Sequence, residues 1–117
     1  MIRLYHNPRC SKSREALQLL QDAGAQIEVI EYLKQTPSIE ELDQLLSLLE
    51  LEPRQLMRRH EEEYQMLYLD DIALERRQLI AAMHDNPILI ERPIAQCEQR
   101  AVIGRPPQNV LSLLTQA

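Results

Sequence analysis

The stretch Tyr5-His6-Asn7-Pro8-Arg9-Cys10-Ser11-Lys12-Ser13-Arg14 decides how the rest of the chain is read. An apolar run, Met1 to Leu4, precedes it, and a helical pattern begins near Ser13. The pattern is strand, tight turn, helix, with Pro8 ending the strand and stiffening the turn. Cys10 then stands at a helix N-terminus, where free N–H groups and the helix dipole favour a thiolate over a thiol. His6, Arg9, Lys12 and Arg14 bring positive charge close by. A cysteine so placed is a candidate nucleophile, whereas most cysteines are inert buried hydrophobes. Spacing narrows the chemistry. A Cys-x5-Arg phosphate loop would need Arg where Ala16 stands, and a Cys-x-x-Cys pair would need Cys where Ser13 stands. What remains is a one-cysteine redox site or an anion site of another design.

Outward from this turn, Ile2 to Tyr5 reads as strand one. Ser13 to Ala23 reads as an amphipathic helix with Ala16, Leu17, Leu20 and Ala23 on one face, closed by Gly24. Ile27 to Ile30 reads as strand two, parallel to strand one through a right-handed crossover. Ser38 and Glu41 form a capping-box pattern, opening a helix with Leu42, Leu45, Leu46 and Leu49 inward. Pro53 starts a short helix from Arg54 to about Arg59. His60 to Tyr64 reads as a solvated helix end or loop; its consecutive acids do not converge on a metal. A helix from about Leu74 to His84 turns Leu79, Ile80 and Met83 inward and ends at Asn86-Pro87. Ile88 to Ile90 and Arg92 to Ala95 lead into strand three, Glu98-Gln99 makes a tight hairpin, and Arg100 to Ile103 is strand four. Gly104-Arg105-Pro106-Pro107 breaks the strand before a last helix, Gln108 to Leu114. The order predicts an α/β fold with a mixed four-stranded sheet and a helical insertion between strands two and three. This is the thioredoxin arrangement, and it predicts one domain over residues 1–117.

Composition sets further bounds. A chain of 117 residues suits one aliphatic core, since it has four Tyr, no Phe and no Trp. A net charge of -5 argues against nucleic acid as a partner. Eleven of the 13 basic residues are Arg, whose donor fork grips oxyanions. Two cysteines make no disulfide framework, so a reducing, cytoplasmic setting is expected. No secretory signal or membrane span is visible, and a monomer is expected. Cys97, near the end of strand three, is either an unremarkable thiol or a resolving cysteine.

The stretch His6-Asn7-Pro8-x-Cys10-x-x-Ser13-Arg14 resembles the active-site loop of the ArsC-type, glutaredoxin-coupled arsenate reductases of the ArsC/Spx family. Pro87 to Ile94 is similar to the family segment in which an arginine precedes a cis-proline. Gly104-Arg105-Pro106 looks like its later Arg-Pro, and Arg54-x-x-x-Arg58 like its helical arginine. The resemblance implies a thioredoxin-like fold, Cys10 as nucleophile, and His6, Ser13 and Arg14 as groups that stabilise its thiolate. It also implies Arg58, Arg92 and Arg105 as oxyanion ligands, and Pro93 in the cis form. It further implies arsenate as substrate, glutathione as co-substrate and glutaredoxin as partner, with no metal and no bound cofactor. Two alternatives stand beside it. One is a glutathione-dependent disulfide reductase that does not act on arsenate. The other is an Spx-like regulator binding RNA polymerase, against which Ser13, in place of a second cysteine, argues.

Overall fold

The computed structural model describes residues 1–114. The chain divides into two compact units. The first is formed by residues 1–35 and 92–114 of the described chain, the second by residues 36–91.

The first unit is built on a four-stranded sheet. Its elements are β1 (Ile2–His6), α1 (Ser11–Asp22), β2 (Ile27–Glu31), β3 (Ile94–Cys97) and β4 (Arg100–Ile103). The strand order is β2-β1-β3-β4. β1 runs parallel to β2, with Ile2 opposite Ile27, and antiparallel to β3, with Tyr5 opposite Ile94. β3 and β4 pair antiparallel, with Ile94 opposite Ile103. Leu4, Tyr5 and His6 are all buried, so both faces of β1 are covered, as an inner strand requires. The core on one face comprises Ile2, Leu4, Ala16, Leu20, Ala95, Val110 and Leu113. Burying a leucine such as Leu20 completely contributes about 1.5–3 kcal/mol by transfer alone.

Two details differ from the sequence reading. α1 starts at Ser11, and its inward residues are Ser13, Ala16 and Leu20, whereas Ala23 is its exposed C-cap. Gly24 follows with φ 76°, a conformation that costs glycine little. The last helical segment, Pro107–Leu114, is a 3-10 helix. Its buried residues, Pro107, Val110 and Leu113, recur every third position, and three residues per turn set them on one face.

The second unit is helical: α2 (Ile39–Leu49), α3 (Pro53–Leu56), α4 (Glu62–Met66) and α5 (Arg76–Asp85). Ser38 caps α2 reciprocally: Glu41 N–H donates to Ser38 Oγ at 3.1 Å and Ser38 N–H to Glu41 Oε1 at 2.9 Å. Leu42, Leu45 and Leu46 of α2 and Leu79, Ile80 and Met83 of α5 are buried. α3 is shorter than the sequence suggests. Met57 turns extended and bridges Ile90, while Arg58 N–H donates to Leu89 O at 2.7 Å. Arg58 therefore lies beyond the helix, because a pairing across 31–33 residues satisfies its backbone better than another helical turn would. Residues 87–89 form a 3-10 turn instead of an extended run. Residues 62–66 are helical around a buried Tyr64, whose hydroxyl donates to Asp70 Oδ1 at 2.7 Å.

Candidate active site

The turn that carries Cys10 is closed by two local hydrogen bonds. Arg9 N–H donates to Asn7 Oδ1 at 3.0 Å, and Cys10 N–H to Asn7 O at 3.0 Å. Asn7 at the first position and Pro8 at the second are the residues such a turn prefers. Cys10 is the N-cap of α1, with φ -95° and ψ 122°. Its carbonyl accepts from Arg14 N–H at 3.0 Å, and its thiol is partly exposed.

Opposite the turn, two segments are clipped together. Gly104 N–H donates to Pro93 O at 2.8 Å, and Arg105 Nε to Arg92 O at 2.8 Å. Arg105 Nη2 then reaches Cys10 Sγ at 3.6 Å. The Arg92–Pro93 and Arg105–Pro106 peptide bonds are both cis. A Cβ on Gly104 would stand 2.7 Å from Pro93 Cγ and 3.1 Å from Val110 Cγ1. Only glycine lets the two segments approach so closely.

The balance at Cys10 favours the thiolate. Burial opposes ionisation, but the Ser13 N–H, the Arg92 guanidinium and the Lys12 N–H together outweigh it and hold the thiol below its ordinary pKa. Ser13 acts through its backbone here. Its hydroxyl is fully buried and lies 2.6 Å from His6 Nδ1, and it accepts from Asn7 N–H at 3.1 Å. His6 is itself buried, and burial lowers its pKa, with Glu31 opposing and Arg14 reinforcing the shift. His6 is therefore largely neutral at pH 7 and supplies position, not positive charge. Arg14 Nη1 donates to Pro8 O at 2.9 Å, tying α1 to the turn.

Thus Cys10, Ser13, Arg92, Pro93 and Arg105 converge on one end of the sheet, and His6 and Arg14 brace the turn behind them. Arg58 belongs to the other unit. There it pairs with Glu61 at 3.1 Å, lies 3.0 Å from His60 Nε2 and faces Glu91 at 4.0 Å. Cys97 lies at the opposite end of the sheet, one residue beyond the Arg3–Gln96 pair. The run from Arg3 to His6 alone spans roughly 10 Å. A disulfide needs Cα atoms closer than about 7 Å, so Cys97 is no resolving partner for Cys10 in this fold. Sequence reasoning also missed the cis Arg105–Pro106 bond, for which an X-Pro pair after a strand is the one available signal. Among the described residues no cluster of His, Cys, Asp or Glu would hold a metal, and no helix is long and apolar enough to cross a membrane.

Comparison with known proteins fits this geometry. The ArsC family model matches residues 5–113. An uncharacterised protein of Escherichia coli (strain K12), YfgD, is 46% identical over 114 residues, covering 97% of this chain and 96% of its own. An arsenate reductase of Haemophilus influenzae is 43% identical over 112 residues, covering 95% of this chain and 97% of its own. The solved structure of a putative arsenate reductase from Yersinia pestis superimposes with a TM-score of 0.92 at 50% identity, covering 96% of this chain and 99% of its own. The fold is thioredoxin-like, and by sequence and structure alike the chain belongs to the ArsC family.

Proposed function

We propose that the protein is a thiol-dependent arsenate reductase. The observation that carries this reading is the guanidinium of Arg105 at 3.6 Å from a Cys10 thiol that Arg92 and the first turn of α1 favour as a thiolate. It is supported by arsenate reductases among the relatives over nearly the whole chain.

Arsenate binds beside Cys10, its oxygens facing Arg92 and Arg105, whose fixed charges meet it without reorganisation. The thiolate attacks arsenic, an S–As bond forms, and an oxygen leaves as hydroxide and becomes water. Glutathione thiolate then attacks Cys10 Sγ. An S–S bond forms and the S–As bond breaks, its electron pair reducing arsenic(V) to arsenic(III). Arsenite takes up protons from solvent, and glutaredoxin removes the glutathionyl group by thiol exchange. No bound metal or organic cofactor takes part, and a cytoplasmic thiol pool supplies the electrons. Arg58 enters as the family's third arginine by resemblance alone.

The test is coupled turnover with arsenate, glutathione, glutaredoxin, glutathione reductase and NADPH. NADPH oxidation that requires both arsenate and Cys10 supports the reading. A reactive Cys10 with no arsenate-dependent oxidation would remove arsenate and leave a disulfide reductase.

A further inference from the structure

A cleft of about 200 Å³ opens on the β2 flank of the active-site turn. Its walls include Asn7, Pro8 and Arg9 from the turn and Glu31, Leu33 and Lys34 from the end of β2. The charges are mixed. Lys34 pairs with Glu31 at 3.6 Å, with side chains 79% and 42% exposed. An ion pair so exposed contributes little and is easily exchanged for ligand contacts. A purely anionic ligand would be repelled by Glu31, and a purely cationic one by Arg9 and Lys34. The cleft suits a small molecule of both signs, with Leu33 and Pro8 offering apolar surface between them.

Position gives the cleft a purpose. Strand order is β2-β1-β3-β4, and Cys10 follows β1. Arg92 precedes β3 and Arg105 follows β4, so both guanidinium groups reach Cys10 from one flank. Glu31 ends β2, and Leu33 and Lys34 follow it, on the other flank. The cleft and Cys10 share the turn of residues 7–10, closed by the two 3.0 Å hydrogen bonds to Asn7. A displacement at sulfur requires the entering and leaving atoms on opposite sides of Sγ.

We propose that this cleft seats the attacking co-substrate: a short thiol peptide with one free ammonium group and two carboxylates, delivered to Cys10 from the β2 flank while the oxyanion sits on the β3–β4 flank. The proposal deepens the arsenate-reductase reading and rests on it for the direction of attack. Glutathione has this chemistry: its ammonium would meet Glu31 and a carboxylate Lys34 or Arg9. A tripeptide reaches about 10 Å when extended, enough to bring its thiol from the cleft to the turn.

The probe is S-methylglutathione, which cannot react, titrated into the wild-type protein and into Lys34→Glu and Glu31→Lys. Both substitutions are at exposed or half-exposed positions. Saturable binding is expected, with amide shifts at Asn7, Arg9 and residues 31–34, weakened about fivefold by either reversal. In coupled turnover the ratio of kcat/KM for glutathione over that for 2-mercaptoethanol should fall by a similar factor. Shifts confined to Arg92 and Arg105, no saturable binding, or equal losses with both thiols would overturn the proposal. Arsenate turnover with an unchanged glutathione KM in both variants would also overturn the cleft while leaving the reductase reading standing. Binding that depends on the cleft, without arsenate turnover, would do the reverse.

Discussion

The two ends of the sheet each carry a free, partly exposed cysteine, and what differs is the surroundings of each thiol. Cys10 sits in a turn, at a helix N-terminus, with Arg105 at 3.6 Å and Arg92 favouring its ionised form. Cys97 sits in β3, paired in register with Arg100 and packed against the Ile2–Leu4–Leu20 core. The comparison teaches that reactivity here belongs to the surroundings: first-turn N–H groups and guanidinium charge at one end, ladder and apolar packing at the other.

The sharpest way to break this contrast is to exchange serine for each cysteine. Cys10→Ser should lose arsenate-dependent NADPH oxidation to background, whereas Cys97→Ser should keep it within about twofold and lose roughly 1 kcal/mol of stability. Comparable losses of turnover from both would mean that Cys97 takes part.

Next in size are the arginines. Arg105→Ala and Arg92→Ala each remove a charge-assisted contact worth about 2 kcal/mol, so kcat/KM for arsenate should fall roughly 30-fold with the fold intact. Arg92→Ala should also raise the Cys10 pKa, seen as a shift of the iodoacetamide rate profile to higher pH. Wild-type kinetics in either variant would take that arginine out of the site.

Gly104→Ala is expected to act through packing. Its Cβ would press on Pro93 Cγ at 2.7 Å. Strain of about 1–3 kcal/mol should lower the melting temperature, and displacement of Pro93 should lower turnover. An unchanged melting temperature would mean that the Pro93 loop yields freely.

The smallest effect is on stability against pH. The folded Cys10 pKa is lowered, so the unfolded thiol holds its proton over a pH range in which the folded thiol has lost it. The resulting stabilisation is complete above the unfolded value, near 8.5, and is lost as pH falls through the folded value. Cys10→Ser should flatten that segment of a denaturation series, and an unaltered slope would contradict the shift.

Much of this was readable beforehand because local rules governed it. Asn7-Pro8 announces a turn, Ser38 and Glu41 a capping box, Gly24 a left-handed residue, and the order of elements the sheet. What escaped was decided across the chain or by small differences in local geometry. Arg58 left its helix because Met57 found Ile90, 33 residues away. Tyr64 looked solvated among Glu61, Glu62 and Glu63, but its ring is buried and its hydroxyl finds Asp70. α3 and α5 are preceded by Glu52 and Glu75 as N-caps, whose N–H groups donate to Gln55 and Gln78 at 2.8 Å. Their Glu-x-x-Gln spacing is visible, but glutamate is a poor N-cap signal. At the site, residue types pointed to Cys10, whereas burial alone revealed His6 as a neutral brace.

The hairpin at the far end of the sheet has a practical use. Glu98, at its tip, holds φ 55° and is exposed. Glycine would accept that conformation with less strain, so Glu98→Gly should be tolerated or mildly stabilising. A dye, tether or affinity handle attached there would leave the thiol end of the sheet pointing away from the support. Immobilised protein could then be assayed through many reduction cycles with its site unobstructed.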